Sequence, residues 1–167
     1  VALRKRTEIA RSSRADVFLS IHADAFNAPK VNGASVYAVS LKGATSETAR
    51  LLAEKENRAD LMGGVGMSVS LDDYSDEVGE LLLEKIQENS LSFSLEMGAS
   101  VLSSLKKATK LHKKTVEQAG FAVLKAPDMY SLLIEAGFIS NSAESRKLAT
   151  SGHQAKLANA IFQGVKS

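Results

Sequence analysis

Asp16-Val17-Phe18-Leu19-Ser20-Ile21-His22 sets apolar side chains at successive positions, on both alternating faces of the run. That is the mark of a strand covered on both sides in a parallel or mixed sheet. Ahead of it, residues 1 to 13 read as the end of an amphipathic helix: Leu3, Ile9 and Ala10 share a face while Arg4, Lys5, Arg11 and Arg14 meet water. Behind it, Asn27, Pro29, Asn32 and Gly33 break regular structure, and Ala34 to Ser40 alternates again as a second strand.

Farther along, Thr45 or Ser46 caps a helix over roughly 47 to 60, closed by Gly63-Gly64, and Gly63 to Ser70 reads as a mobile loop. Leu91, Leu95, Gly98, Leu102 and Leu105 make 89 to 107 a long helix with one buried stripe, and residues 76 to 88 form a separate amphipathic segment. Phe121 to Leu124 and Tyr130 to Ile134, parted by Pro127-Asp128, read as buried strands. Asn141 with Glu144, and Ser151 with Gln154, have capping-box spacing, and Leu157, Ala158, Ile161, Phe162 and Val165 stripe the last helix. Strands and helices alternate, so the class is α/β with a mixed, mostly parallel sheet flanked by helices, in one domain over 1–167 with an inserted helical region over 65–107.

Composition narrows the function. At 167 residues and 44% apolar content the chain can bury a substantial core, and a net charge of +2 gives no polyanion footprint. Lys106, Lys107, Lys110, Lys113 and Lys114 cluster, yet no aromatic residue interleaves them, so a solvated helix end explains them better than nucleic-acid binding. Any metal must be held by His, Asp or Glu, because there is no cysteine. No apolar run is long enough for a membrane span, and Val1 to Arg14 is too charged for a secretory signal. The chain opens inside a helical pattern, which is expected of a fragment whose natural start lies upstream.

In open α/β sheets reactive groups gather beyond the carboxyl ends of the strands, and two residues end apolar runs there. His22 closes Val17 to Ile21, and Glu135 closes Ser131 to Ile134. A carboxylate in such a place escapes to solvent, finds a cation or carries a raised pKa. A strand-end salt bridge for Glu135, and a core histidine bonded to backbone for His22, are the bland readings of the same positions.

Several ordered stretches bear a family resemblance. Ala15-Asp16-Val17-Phe18-Leu19-Ser20-Ile21-His22-Ala23-Asp24-Ala25 resembles the "ADxFxSIHADA" segment of bacterial N-acetylmuramoyl-L-alanine amidases. Gly33 to Tyr37, Leu41 to Ala44 and Ala53 to Asn57 are similar to that family's next strand and helix, and Val116 to Lys125 with Ser131 to Asn141 resembles its closing signature.

The resemblance implies a zinc-exopeptidase-like fold and a zinc ion held by two histidines and a glutamate, with a second glutamate near the metal. His22 matches the second histidine and Glu135 the catalytic glutamate. The first histidine and the glutamate ligand match positions upstream of Val1, in an Asp-Pro-Gly-His-Gly-Gly loop and the helix after it. Asp24 orients a ligand or serves as a turn residue; His112 and His153 match no family ligand and read as solvated. The activity implied is hydrolysis of the amide between N-acetylmuramic acid and L-alanine of peptidoglycan stem peptides, in the periplasm, for daughter-cell separation, by a monomer. A non-catalytic peptidoglycan-binding module is the alternative.

Between Asp72 and Glu88 stand seven acidic residues and one lysine, with Glu77, Glu80, Glu84 and Glu88 on one stripe. By itself this is a surface helix with a solvated acidic face. In the Gram-negative cell-division amidases an inserted helix here covers the active site, which by resemblance makes Glu80 and Glu84 candidates to plug the zinc, Gly63 to Ser70 the hinge, and a LytM-domain activator the partner that displaces it.

Overall fold

A computed structural model describes the backbone of residues 1–40, 42–61, 77–126 and 128–167, with the side chains of those ranges other than 4, 59–61 and 77–84. The Gly63–Ser70 loop, the acidic residues 72–76 and Pro127 lie outside the described residues.

Among the described residues, four strands form one mixed sheet: β1 (Val17–His22), β2 (Ser35–Val39), β3 (Glu117–Ala119) and β4 (Tyr130–Glu135), in the order β1-β4-β2-β3. β1 and β4 are parallel, as are β2 and β3, while β2 runs antiparallel to β4. The expected α/β class and flanking helices hold. β2 sits beyond β4, yet it starts at the end of the sheet where β1 stops, so residues 23–34 arch over the carboxyl end of β4 rather than crossing a face of the sheet.

The described helices are α1 (Leu3–Ser12), α2 (Glu47–Leu61), α3 (Glu77–Ala108), α4 (Ser142–Leu148) and α5 (Ser151–Lys166). One face of the sheet, with Val36, Ala38, Leu132 and Ile134, packs on Val101, Leu102 and Leu105 of α3 and Leu157 and Ile161 of α5. The opposite face, with Tyr37 and Leu133, packs on Leu3 of α1, Ala49, Leu52 and Ala53 of α2, and Phe121. Both faces are covered over β2 and β4, which is why β4 reads as a continuous apolar run, whereas β1, at the edge of the described sheet, is mostly half-buried and leaves Ile21 60% exposed, short of the two-sided cover expected of it. α3 and α5 touch so closely that a Cβ on Gly164 would lie 2.4 Å from the Val101 Cα.

Several local expectations differ. Residues 76–88 and 89–107 do not form separate helices: α3 is continuous from Glu77, since Asn89 and Ser90 are tolerated inside a helix that packing holds on its C-terminal half. Phe121–Leu124 is not a strand: Ala122–Leu124 is a 3-10 turn, and its apolar side chains fill the core from a bend after β3. The cap of α5 is Thr150, whose hydroxyl accepts from the His153 N–H, while Gln154 donates to the Leu148 carbonyl. Asn141 caps α4 as expected, but Glu144 turns away from the box to accept from the N–H groups of Gly33 and Phe138. On α5 the buried stripe is Leu157, Ala160, Ile161 and Gly164, with Phe162 59% exposed; the stripe turns toward α3 because Gly164 must face it.

Candidate active site

The parallel register makes His22 and Glu135 direct partners at the carboxyl ends of β1 and β4, with both side chains on the face covered by α1 and α2. Ala136 donates its N–H to the His22 carbonyl and Ile139 to that of Asp24, which fastens the start of the arch to the segment leaving β4. The arch thereby turns the Asp24 N–H onto Glu135 Oε1 at 2.7 Å. Glu135 is fully buried, and its Oε2 has no hydrogen-bond partner among the described residues.

α2 brings a residue that the sequence reading missed. Glu56 Oε2 lies 3.2 Å from His22 Nδ1, while the other ring nitrogen of His22 meets Ser20 Oγ at 2.8 Å. Glu56 continues the buried stripe Ala49, Leu52, Ala53 at helical spacing. A carboxylate on the apolar side of an otherwise solvated helix was the legible signal. Lys55, one position along, reaches the other way to Asp24 Oδ1 at 3.2 Å and to the Ala25 carbonyl.

The electrostatics call for a cation. Burial pushes Glu135 up to about 8, helped by the charges of Asp24 and Glu56 and opposed by the Asp24 N–H. Burial first, then the Asp24 carboxylate, lifts Glu56 to about 7. His22 is lowered by burial, which favours the neutral imidazole that binds metals. His22, Asp24 and Glu56 each offer one ligand atom within 4.8 Å of the others. Asp24 Oδ2 and Glu135 Oε2 are buried without partners among the described residues, so a divalent ion would satisfy what the protein leaves unsatisfied.

The remaining candidates lie elsewhere. α3 runs alongside β4 in the same direction: Phe93 packs on Tyr130 with ring centroids 5.2 Å apart, Ser94 Oγ accepts from the Ser131 N–H, and Gly98 packs on Leu132. Its acidic N-terminal turns therefore extend past the amino end of β4, away from Glu135. At 1.5 Å rise per helical residue and about 3.3 Å per strand residue, the backbone at Glu84 is about 30 Å from the carboxyl end of β4. The side chains of Glu80 and Glu84 lie outside the described residues. His112 is not solvated as expected: its ring packs edge-on against Phe138, its Nε2 is buried, and burial lowers its pKa. His153 sits on α5, and no helix of the described residues is long and apolar enough to cross a membrane.

A family profile described as N-acetylmuramoyl-L-alanine amidase matches residues 1–167. Amidase AmiC of Escherichia coli O6:H1 is 48% identical over 167 residues, which is 100% of this chain and 39% of that protein. AmiA of Salmonella typhimurium is 42% identical over 167 residues, 100% of this chain and 56% of that protein. The chain thus spans between 39% and 56% of the length of these two relatives. Among solved structures, the CwlD amidase of Clostridioides difficile in complex with the GerS lipoprotein superposes with a TM-score of 0.61 at 23% identity, over 98% of this chain and 59% of that one, a likeness of fold.

Proposed function

Since the chain belongs to the N-acetylmuramoyl-L-alanine amidase family, we propose that it hydrolyses the amide between N-acetylmuramic acid and the first L-alanine of peptidoglycan stem peptides, with zinc as cofactor. The observation that carries this reading is the pairing of His22 with Glu135 beside two further carboxylates, Asp24 and Glu56, at one end of the sheet. Zinc bound there would lower the pKa of a water to about 7 and polarise the scissile carbonyl.

The chain's own residues handle ligation and protons. His22 offers Nδ1 toward the cluster, and Ser20 fixes the ring through Nε2. Asp24 acts through Glu135: its N–H holds Oε1, which leaves Oε2 to take the proton of the attacking water and return it to the departing amine. A carboxyl whose ordinary range has been lifted toward neutrality by burial suits both halves of that exchange. By resemblance, a histidine and a glutamate upstream of Val1 complete the ligand set.

Regulation by an acidic plug belongs to the same reading. Glu56, 3.2 Å from His22 Nδ1, would offer a bound metal an extra carboxylate. For Glu80 or Glu84 to do so, the acidic turns would have to leave α3 and fold back, displaced again by a LytM-domain activator. Periplasmic location and a role in daughter-cell separation follow from the same family reading, as does a monomeric state. The test is Glu135→Gln in the full-length protein. Retained zinc with stem-peptide release reduced about a thousandfold supports the mechanism, and unchanged release removes Glu135 from it.

A further inference from the structure

The arch over β4 ends in a second polar cleft. Lys30, Val31, Asn32, Lys110, Leu111 and His112 line a space of about 330 Å³. Its walls are fixed. The Ala34 N–H donates to the Lys110 carbonyl, the His112 N–H donates to the Ala34 carbonyl, and Asn32 Nδ2 closes the turn on the Lys30 carbonyl. Gly33, at φ 98°, lets the two segments meet: a Cβ there would lie 2.6 Å from the His112 nitrogen. Glu144 clamps the same loop from beneath through the Gly33 N–H.

The charge in this cleft is unspent. Lys30 and Lys110 are exposed and form no ion pair with a described residue. The carboxylates that act on His112 are engaged elsewhere, Glu144 with the Gly33 and Phe138 N–H groups and Glu117 with Thr45 and Lys113. Two ammonium groups without an ion-pair partner among the described residues, on a rigid frame, suit a carboxylate.

The cleft also stands at a meaningful distance. Ser35 is the register partner of Glu135, and Ala34 bridges to Leu111. Two interstrand steps of about 4.8 Å across the sheet, and one Cα step of about 3.8 Å at right angles to them, put the cleft's backbone about 10 Å from that of Glu135. An extended peptide covers that span in about three residues.

We propose that Lys30 and Lys110 form a specificity subsite that binds a carboxylate of the stem peptide a few residues beyond the scissile amide. This rests on the amidase reading. It makes the arch a ruler, with Asp24 at the reactive end and the lysines at the recognition end.

The test uses full-length zinc-loaded enzyme and three synthetic N-acetylmuramoyl peptides: one with free carboxylates, one amidated at the C-terminus, and one amidated at its acidic side chains. One amidated peptide should lose about tenfold in kcat/KM, carried by KM, and it identifies which carboxylate is bound. The Lys30→Gln/Lys110→Gln double variant should show the same loss on the free peptide and no further loss on amidation. A double variant within about twofold of wild type on the free peptide, or one that still discriminates, overturns the subsite. If wild type cleaves none of the three, the amidase reading is what has failed; titration of the free peptide into wild type and double variant then decides the subsite, equal affinities overturning it.

Discussion

The N–H of Asp24 donates to Oε1 of Glu135 at 2.7 Å, and this bond is supplied by a loop that exists because β2 begins where β1 ends. It fixes one oxygen of a buried carboxyl group and leaves the other without a partner among the described residues.

That environment has a stability cost with a definite sign. The folded-state pKa of Glu135 is raised from 4.5 to about 8, so the folded protein holds the proton more tightly than the unfolded chain. Metal-free protein should lose stability as pH rises from about 4.5 to about 8 and level off above, by a few kcal/mol in total. Urea unfolding in chelator across that range measures it; Glu135→Gln should make the fall shallower, leaving the share of Glu56, which is itself raised to about 7, and be the more stable protein at pH 8. A curve that rises across this window would contradict the burial.

Glu56 touches the Nδ1 of His22, so its replacement should act on metal and turnover in opposite directions. In the full-length enzyme Glu56→Gln is expected to weaken zinc binding about tenfold or more, as read by chelator competition, and to raise basal hydrolysis. Unchanged zinc affinity would take Glu56 out of the ligand set.

Asn57 joins α2 to the bend after β3, donating to the Gly120 carbonyl and accepting from the Ala122 N–H. Asn57→Ala strands both backbone groups at the base of buried Phe121. A loss of about 2 kcal/mol in denaturant unfolding is expected.

At the α3–α5 crossing there is no room for a methyl group. Gly164→Ala should cost roughly 1–3 kcal/mol, because the facing surface is the Val101 backbone rather than a movable side chain. Zinc affinity should not change, since the crossing is on the opposite face of the sheet from His22.

The acidic segment is testable by removal. Deleting residues 72–88 from the full-length enzyme should raise basal activity and abolish the response to an activator; no change in either result argues against a lid.

The two strand-end candidates were legible because each interrupts hydrocarbon: an imidazole after Ile21 and a carboxyl after Ile134 have no solvation of their own. Their adjacency was not, since period-two patterning identifies strands without naming their neighbours. Phe121–Leu124 misled because a short apolar run fits a buried bend as well as a strand. The division of α3 was misplaced because Asn and Ser lower helix propensity only slightly, and the tertiary contacts of Leu91 to Leu105 outweigh it. Glu56 was hidden among neighbouring glutamates and is distinguished only by its phase on α2.

Because residues 23–34 leave and re-enter the sheet at the same end, the span is held by its own contacts, Phe26 on Phe138 and Ser140 and Pro29 on Asn141, and not by strand pairing. A substitution between Ala25 and Asn32 would change what a ligand meets beside the cleft, while the groups proposed to cleave the bond stay held on β1 and β4.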